Sequence, residues 1–201
     1  MSSIAREKAS DFKPLNKGIH LAICDALVDI GLQETPWGDK EQVSLRFEVP
    51  AERIQFTKDG EEIDEPQIIW TKYTKNLHKK SNLRQDLESW RGKPFTKEEL
   101  AGFDLFKLVG KPCHLVVVHN VTDDRTYANV QSITAVHKSQ EIPAQELPSI
   151  RFSPDDTDQY DDVPEWLQKR FDARIEPDEE EPTTADAESV DDFEDGDIPP
   201  F

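Results

Sequence analysis

The stretch GIHLAICDALVDIG, residues 18–31, holds the first strand of the chain and predicts how that strand bends. Its apolar side chains form two alternating sets, first Ile19, Leu21 and Ile23, and then Ala26, Val28 and Ile30. Alternation with a period of two is typical of a β-strand, but these two sets are out of phase by one residue. A β-bulge near Cys24 and Asp25 would absorb the extra residue and bend the chain. The pattern therefore predicts a long, sharply curved strand.

Four further segments have the composition and alternation of strands: QVSLRFEV (42–49), QIIWTKYTK (67–75), KPCHLVVVHNV (111–121) and TYANVQSITAV (126–136). In the second strand, the alternation predicts that the apolar residues face the core while Ser44, Arg46 and Glu48 face solvent. The fourth strand is apolar enough to be buried on both faces.

Between the third and fourth strands the apolar period changes to that of a helix. Residues 81–90, SNLRQDLESW, place Leu83, Leu87 and Trp90 on one helical stripe, behind a serine suited to the N-cap. A second short helix is expected in residues 96–103, TKEELAGF, which open with the spacing of a capping box. The stripe predicts that Trp90 is a core residue.

This order of elements predicts the fold class. Three strands, a helical connection and two more strands fit a mainly β protein, the five-stranded Greek-key barrel called the OB-fold, with its helix between strands 3 and 4. The bent first strand favours the barrel, because closing a sheet requires strong curvature. An α+β sandwich with the same element order is the alternative. Residues 1–140 are long enough to form this one domain.

Charge divides the chain at the same place. Residues 1–140 hold 20 basic and 21 acidic side chains, whereas residues 141–201 hold 4 and 21 and have a net charge of −17. We therefore expect residues 141–201 to be a linker and an acidic, largely disordered tail. Within it, DVPEWLQKRF (162–171) either forms a short helix, with Asp162 as N-cap and Pro164 at N1, or stays solvated.

Several classes of protein are disfavoured. No apolar run approaches the roughly 18 residues of a membrane span, and two cysteines imply no disulfide framework, so we expect a cytoplasmic protein with buried thiols. The sequence lacks a glycine-rich phosphate loop, and Cys113, His114 and His119 do not complete a zinc set. We expect no enzyme activity, no cofactor and no metal.

Basic and aromatic residues are concentrated in residues 66–97, which hold eight basic and two acidic side chains. Proteins that bind single strands combine a basic groove with aromatic side chains on which bases stack. Candidate binding residues are Trp37, Arg46, Trp70, Lys72, Tyr73, Lys75, Lys79, Lys80, Arg84 and Tyr127. Alternation puts Trp70 and Lys72 on one face of the third strand and Tyr73 and Lys75 on the other, but does not say which face is open. Trp37 lies in a turn, TPWGDK, with little core to reach.

Two parts of the chain resemble known single-stranded DNA-binding proteins. The last residues, DDFEDGDIPPF (191–201), resemble the acidic C-terminal tip of the bacterial proteins, although Gly196 interrupts the acidic run and the proline is doubled. KYTKNLHKKSNLRQDLESWRGKPFTKEEL (72–100) and LVGKPCHLVVVHN (108–120) are similar to phage-encoded members.

The resemblance implies a function for each part. The barrel would coat single-stranded DNA without sequence preference, and the tip would dock replication, recombination and repair proteins. The tip residues so implied are Asp195, Asp197, Ile198, Pro199, Pro200 and Phe201. A strongly acidic tail could also compete with DNA for a basic groove. The alternative is an interaction protein whose acidic tail mimics nucleic acid and captures a replication factor; a nuclease or ligase fragment lacks a nucleophile or metal set.

Overall fold

The computed structural model describes residues 13–58, 60–122 and 125–176. In chain order these form β1 (Gly18–Gln33), β2 (Lys40–Lys58), β3 (Glu61–Thr74), α1 (Asn82–Arg91), α2 (Lys97–Ala101), β4 (Lys111–Val121), β5 (Thr126–Thr134), β6 (Ile150–Phe152) and α3 (Glu165–Asp172). Within this part of the chain, no helix has both the length and the apolar character that crossing a bilayer requires.

The strands form one sheet in the order β3-β2-β1-β4-β5, with neighbours antiparallel, and β6 pairs with β1 in parallel. The register between β1 and β2 shifts between Cys24 and Ala26, which is where the sequence predicts a bulge. The first part of β1 pairs with β4 and the rest with β2, so the bend lets one strand join two parts of the sheet.

The mainly β prediction is confirmed, but the closed five-stranded barrel is not. The sheet has a sixth strand, and among the described residues no ladder joins the edge strands β3 and β5. These two strands nevertheless approach each other, since some of their Cα atoms lie within 8 Å.

Helix α1 packs on one face of the sheet, which we call the inner face. It does so through the predicted stripe of Leu83, Leu87 and Trp90, all of which are buried. The ring of Trp90 lies 5.7 Å from that of Phe47, and its Nε1 donates a hydrogen bond of 2.7 Å to the carbonyl of Pro112. The predicted N-cap of α1 and the capping box of α2 are both present. The core position of Trp90 is therefore confirmed.

The outer face of β2 is not exposed to solvent, contrary to the sequence prediction. Ser44 and Glu48 are 0 % exposed and Arg46 only 9 %. The cause is a second layer built from residues 146–175, whose apolar side chains pack against the outer face of β1. This second core contains Ala26, Val28, Ile30, Ile150, Phe152, Val163, Leu167 and Phe171.

Polar contacts fix the second layer to the sheet. The Glu48 carboxylate accepts hydrogen bonds from the backbone N–H groups of Glu146 (3.0 Å) and Leu147 (2.8 Å). At the end of the layer, the N–H of Ile175 donates to the carbonyl of Leu32 over 2.9 Å. The folded part of the chain therefore extends past the predicted boundary at residue 140.

Of the two alternatives for residues 162–171, the short helix is present as α3, but it begins differently from the prediction. Pro164 occupies the N-cap, and Asp162 lies in a preceding 3₁₀ turn instead of capping the helix. The predicted partner-binding tip, residues 191–201, lies outside the described residues.

Candidate nucleic-acid interface

A groove of about 380 Å³ lies between the β1–β2 turn, the adjacent strands and α3. The residues that give it its chemistry are Trp37, Lys40, Gln42, Lys72, Thr74 and Arg170. A second groove of about 340 Å³ shares Gln42, Lys72 and Thr74 with the first and continues to Lys80. Because the two grooves share these lining residues of β2 and β3, we treat them as one surface and call it the basic channel.

Trp37 is held at the mouth of the basic channel by the turn that carries it. The hydroxyl of Thr35 donates to the carbonyl of Gly38 over 2.6 Å, and Gly38 adopts a φ of 91°, which favours glycine. The indole is 81 % exposed, and the Lys40 ammonium lies 5.9 Å from its centroid. An exposed aromatic ring beside a cation can stack on a base while the cation meets the backbone.

Lysines extend from this turn along the basic channel. Lys72 projects from β3 on the same face as Thr74, whose partner across the ladder is Gln42. Lys80 follows in the connection to α1 and is exposed, as is its neighbour Lys79. Of the described residues that line the two grooves, Glu34 is the one carboxylate, whereas Lys40, Lys72, Lys80 and Arg170 are cations. The predicted positions of Trp37, Lys72 and Lys80 therefore converge on one surface.

The structure places the ring of Tyr73 in the core, although the residue also lines the second groove. Its side chain is 6 % exposed, and its hydroxyl donates a hydrogen bond of 2.8 Å to Asp86 on α1. Burial, together with the nearby Asp86 carboxylate, raises the pKa of Tyr73. The predicted stacking role is therefore wrong for this residue, because its ring packs under α1.

Arg46 and Trp70, also predicted to contact the ligand, lie beneath the second layer. The Arg46 guanidinium pairs with Asp25 over 2.8 Å, donates to the carbonyl of Pro148 over 3.1 Å and lies 5.7 Å from the Trp70 ring. The Trp70 ring meets Trp166 of α3 edge-on at 5.8 Å. Burial raises the pKa of Asp25 to about 6, although Arg46 opposes that shift. These contacts attach the second layer, and they engage the buried Arg46 and the half-buried Trp70 in the fold instead of presenting them on the basic channel.

Two further predicted cations are already paired. The Lys75 ammonium lies 2.7 Å from an Asp29 oxygen, and Arg84 forms an ion pair of 2.9 Å with Glu88 one helical turn away. Tyr127 is 48 % exposed near the β4–β5 turn, but it does not line the basic channel. The structure thus does not bring Lys75, Arg84 and Tyr127 together with Trp37.

Sequence reasoning missed Lys40 and Arg170. Lys40 could have been found, because it lies three residues after Trp37 in the same turn. Arg170 reaches the channel only because α3 packs beside β2, and no local pattern predicts that contact.

No protein-family model matches this chain, and no curated protein matches it significantly. Its function is therefore inferred from its own residues.

Proposed function

We propose that this protein binds single-stranded DNA without sequence preference and has no catalytic role. The observation that carries the proposal is the basic channel, in which the exposed indole of Trp37 adjoins Lys40, Lys72 and Arg170. Aromatic faces and ammonium groups interact with features that every nucleotide shares, namely the base plane and the phosphate. Such a surface suits a protein that coats single strands during replication, recombination and repair.

We further propose that the sheet is of the OB type. The order β3-β2-β1-β4-β5, a helix between β3 and β4, and the approach of β3 to β5 all support this interpretation. In OB-folds the surface of strands 2 and 3 and the loop between strands 1 and 2 contact oligonucleotides. The basic channel, with Trp37 on the β1–β2 turn and Lys72 on β3, is consistent with that arrangement and supports the proposal.

The first test replaces Trp37. We expect Trp37→Ala to weaken binding of labelled oligo-dT by about 1–3 kcal/mol, or roughly 5- to 150-fold, because one stacking surface is lost. Fluorescence anisotropy measures the affinity, and Trp37→Phe should retain most of it. The matched control is Phe56→Ala, which removes an exposed aromatic ring from the β2–β3 hairpin, away from the basic channel.

Two results would count against these ideas. Equal affinities of Trp37→Ala and the wild type for oligo-dT would show that Trp37 is not part of the interface. Absence of oligo-dT binding by the wild type at low salt, with no dependence on salt concentration, would overturn the proposed function itself.

We also propose that the C-terminal tip recruits partner proteins. Residues 177–201 carry eleven acidic side chains and no basic one. Acidic residues would steer the tip toward a basic partner surface, and Ile198 and Phe201 would then supply an apolar anchor. The same charge would draw the tail toward the basic channel in competition with DNA.

Removing residues 177–201 tests this competition. We expect the shortened chain to bind oligo-dT more tightly than the full chain at about 0.01 M salt, and the difference to shrink at about 0.15 M, where the screening length falls from about 30 to 8 Å. The control is a full-length chain whose tail acids are replaced by Asn and Gln. This control should bind oligo-dT as tightly as the shortened chain does. Equal affinities of the full chain, the shortened chain and the control at both salt concentrations would contradict competition.

A further inference from the structure

The two walls of the basic channel come from different layers of the protein. Lys72 belongs to β3, whereas Arg170 belongs to α3 in the second layer. Arg170 is held by neutral groups. Its Nη2 donates a hydrogen bond of 2.6 Å to Oε1 of Gln42, and its backbone carbonyl accepts one of 3.1 Å from the side-chain amide of Gln33. In the described ranges of the chain the guanidinium makes no further hydrogen bond, so it is held in place with most of its N–H groups available.

The charges of Lys72 and Arg170 are not neutralised by the protein around them. In the part of the chain that the structure describes, neither side chain forms an ion pair, whereas Arg53, Arg91 and Arg174 each pair with a carboxylate. Partial burial and the positive charge of Arg170 both lower the pKa of Lys72. The two cations thus face a common space and repel each other, and an anion between them would relieve that repulsion.

We propose that Lys72 and Arg170 form a phosphate clamp between the sheet and the second layer, and that its ligand is a backbone phosphodiester of single-stranded DNA. This inference rests on the proposed function. A planar guanidinium presents paired N–H donors that match phosphate oxygens, and an ammonium adds a second point of charge. Trp37 lines the same groove, so a strand whose base stacks on the indole would have a phosphate near the clamp.

A ligand that bridges two layers also couples them. DNA held by both Lys72 and Arg170 binds best when α3 is docked on the sheet, so binding must in turn stabilise the docked state. The second layer is then part of the binding site, in addition to forming the second core with β1.

The test compares Arg170→Gln with Lys169→Gln in the full chain. Lys169 is the adjacent cation on α3, but it is exposed to solvent and paired with Glu165. Loss of one phosphate contact should weaken oligo-dT binding roughly 5- to 10-fold at about 50 mM salt and reduce the slope of log K against log salt by about 0.7. Lys169→Gln should leave the slope unchanged, and Arg170→Lys, which keeps the charge, should restore it.

Hydrogen exchange supplies the second measurement. Oligo-dT should slow exchange of the α3 amides in the wild type and in Lys169→Gln, but not in Arg170→Gln. The clamp would be overturned if Arg170→Gln kept the wild-type slope of log K against log salt. It would also be overturned if Arg170→Lys lost the slope as fully as Arg170→Gln, since Arg170 would then have a purely structural role. In both cases the wild type still binds oligo-dT and the proposed function survives; a wild type that does not bind contradicts both.

Discussion

Removing residues 141–201 is expected to abolish cooperative folding, whereas removing residues 177–201 should leave the folded domain intact. The longer deletion takes away Ile150, Phe152, Val163, Leu167 and Phe171, and so exposes the outer face of β1. Losing one large buried side chain costs about 2–5 kcal/mol, and a typical domain is stable by only about 5–15 kcal/mol. Loss of five such side chains would cost about 10–25 kcal/mol, which is as large as or larger than the whole stability of a typical domain.

The polar groups left behind increase this effect. Glu48 loses both backbone N–H donors, and Arg46 loses the carbonyl that it contacts on the second layer. A buried charge without partners is strongly destabilising. Thermal unfolding followed by circular dichroism, together with dye binding to exposed apolar surface, measures the outcome. A sharp transition for residues 1–140 close to that of the full chain would show that the second layer is dispensable.

Replacing Arg46 with alanine is expected to lower the free energy of unfolding by about 3–5 kcal/mol, because it leaves a buried carboxylate unpaired. Asp25 is completely buried, and one of its oxygens has no hydrogen-bond partner among the described residues even in the wild type. Neutralising that group as well, in the double variant Arg46→Ala with Asp25→Asn, should recover part of the lost stability. Urea unfolding measures all three proteins.

Arg53→Ala is the matched control for Arg46→Ala. Like Arg46, Arg53 contacts two groups, in this case the carboxylates of Asp64 and Glu146. These side chains are far more exposed than Asp25. Exposed ion pairs contribute about 0–1 kcal/mol, so this variant should unfold close to the wild type. If Arg46→Ala were as stable as the wild type but failed to bind oligo-dT, Arg46 would be a ligand contact, as the sequence pattern alone predicts.

Features of the fold that depend on neighbouring residues could be predicted from the sequence. The one-residue slip in the apolar pattern of β1 located the bulge at Cys24, because a bulge changes the phase of the strand in which it lies. The helix stripe ending at Trp90 and the caps of α1 and α2 are likewise local patterns, and all are present.

Features of the fold that depend on contacts between distant residues could not be predicted from the sequence. Ser44, Arg46 and Glu48 have the spacing of a solvent-facing set, and nothing nearby shows that residues about a hundred positions later cover them. For β3, alternation correctly separated Trp70 from Tyr73, but only the packing of α1 and α3 determines what each side meets. The candidate site was therefore predicted in part: Trp37, Lys72 and Lys80 line the basic channel, whereas Arg46, Trp70 and Tyr73 support the fold.

The backbone contact between Ile175 and Leu32 fixes the last residues that the structure describes to the end of β1. Leu32 lies five residues before Trp37 in the sequence, so these residues are held near the turn that carries the mouth of the basic channel. An extended chain spans up to about 3.5 Å per residue, so the acidic residues 178–181 are joined to this end of the fold by only a short length of chain. A group attached through a short linker has an effective concentration of the order of millimolar, independent of how much protein is present. If the tail competes with DNA as proposed, diluting the protein would not relieve that competition, whereas added salt, or a partner that captures the tip, would.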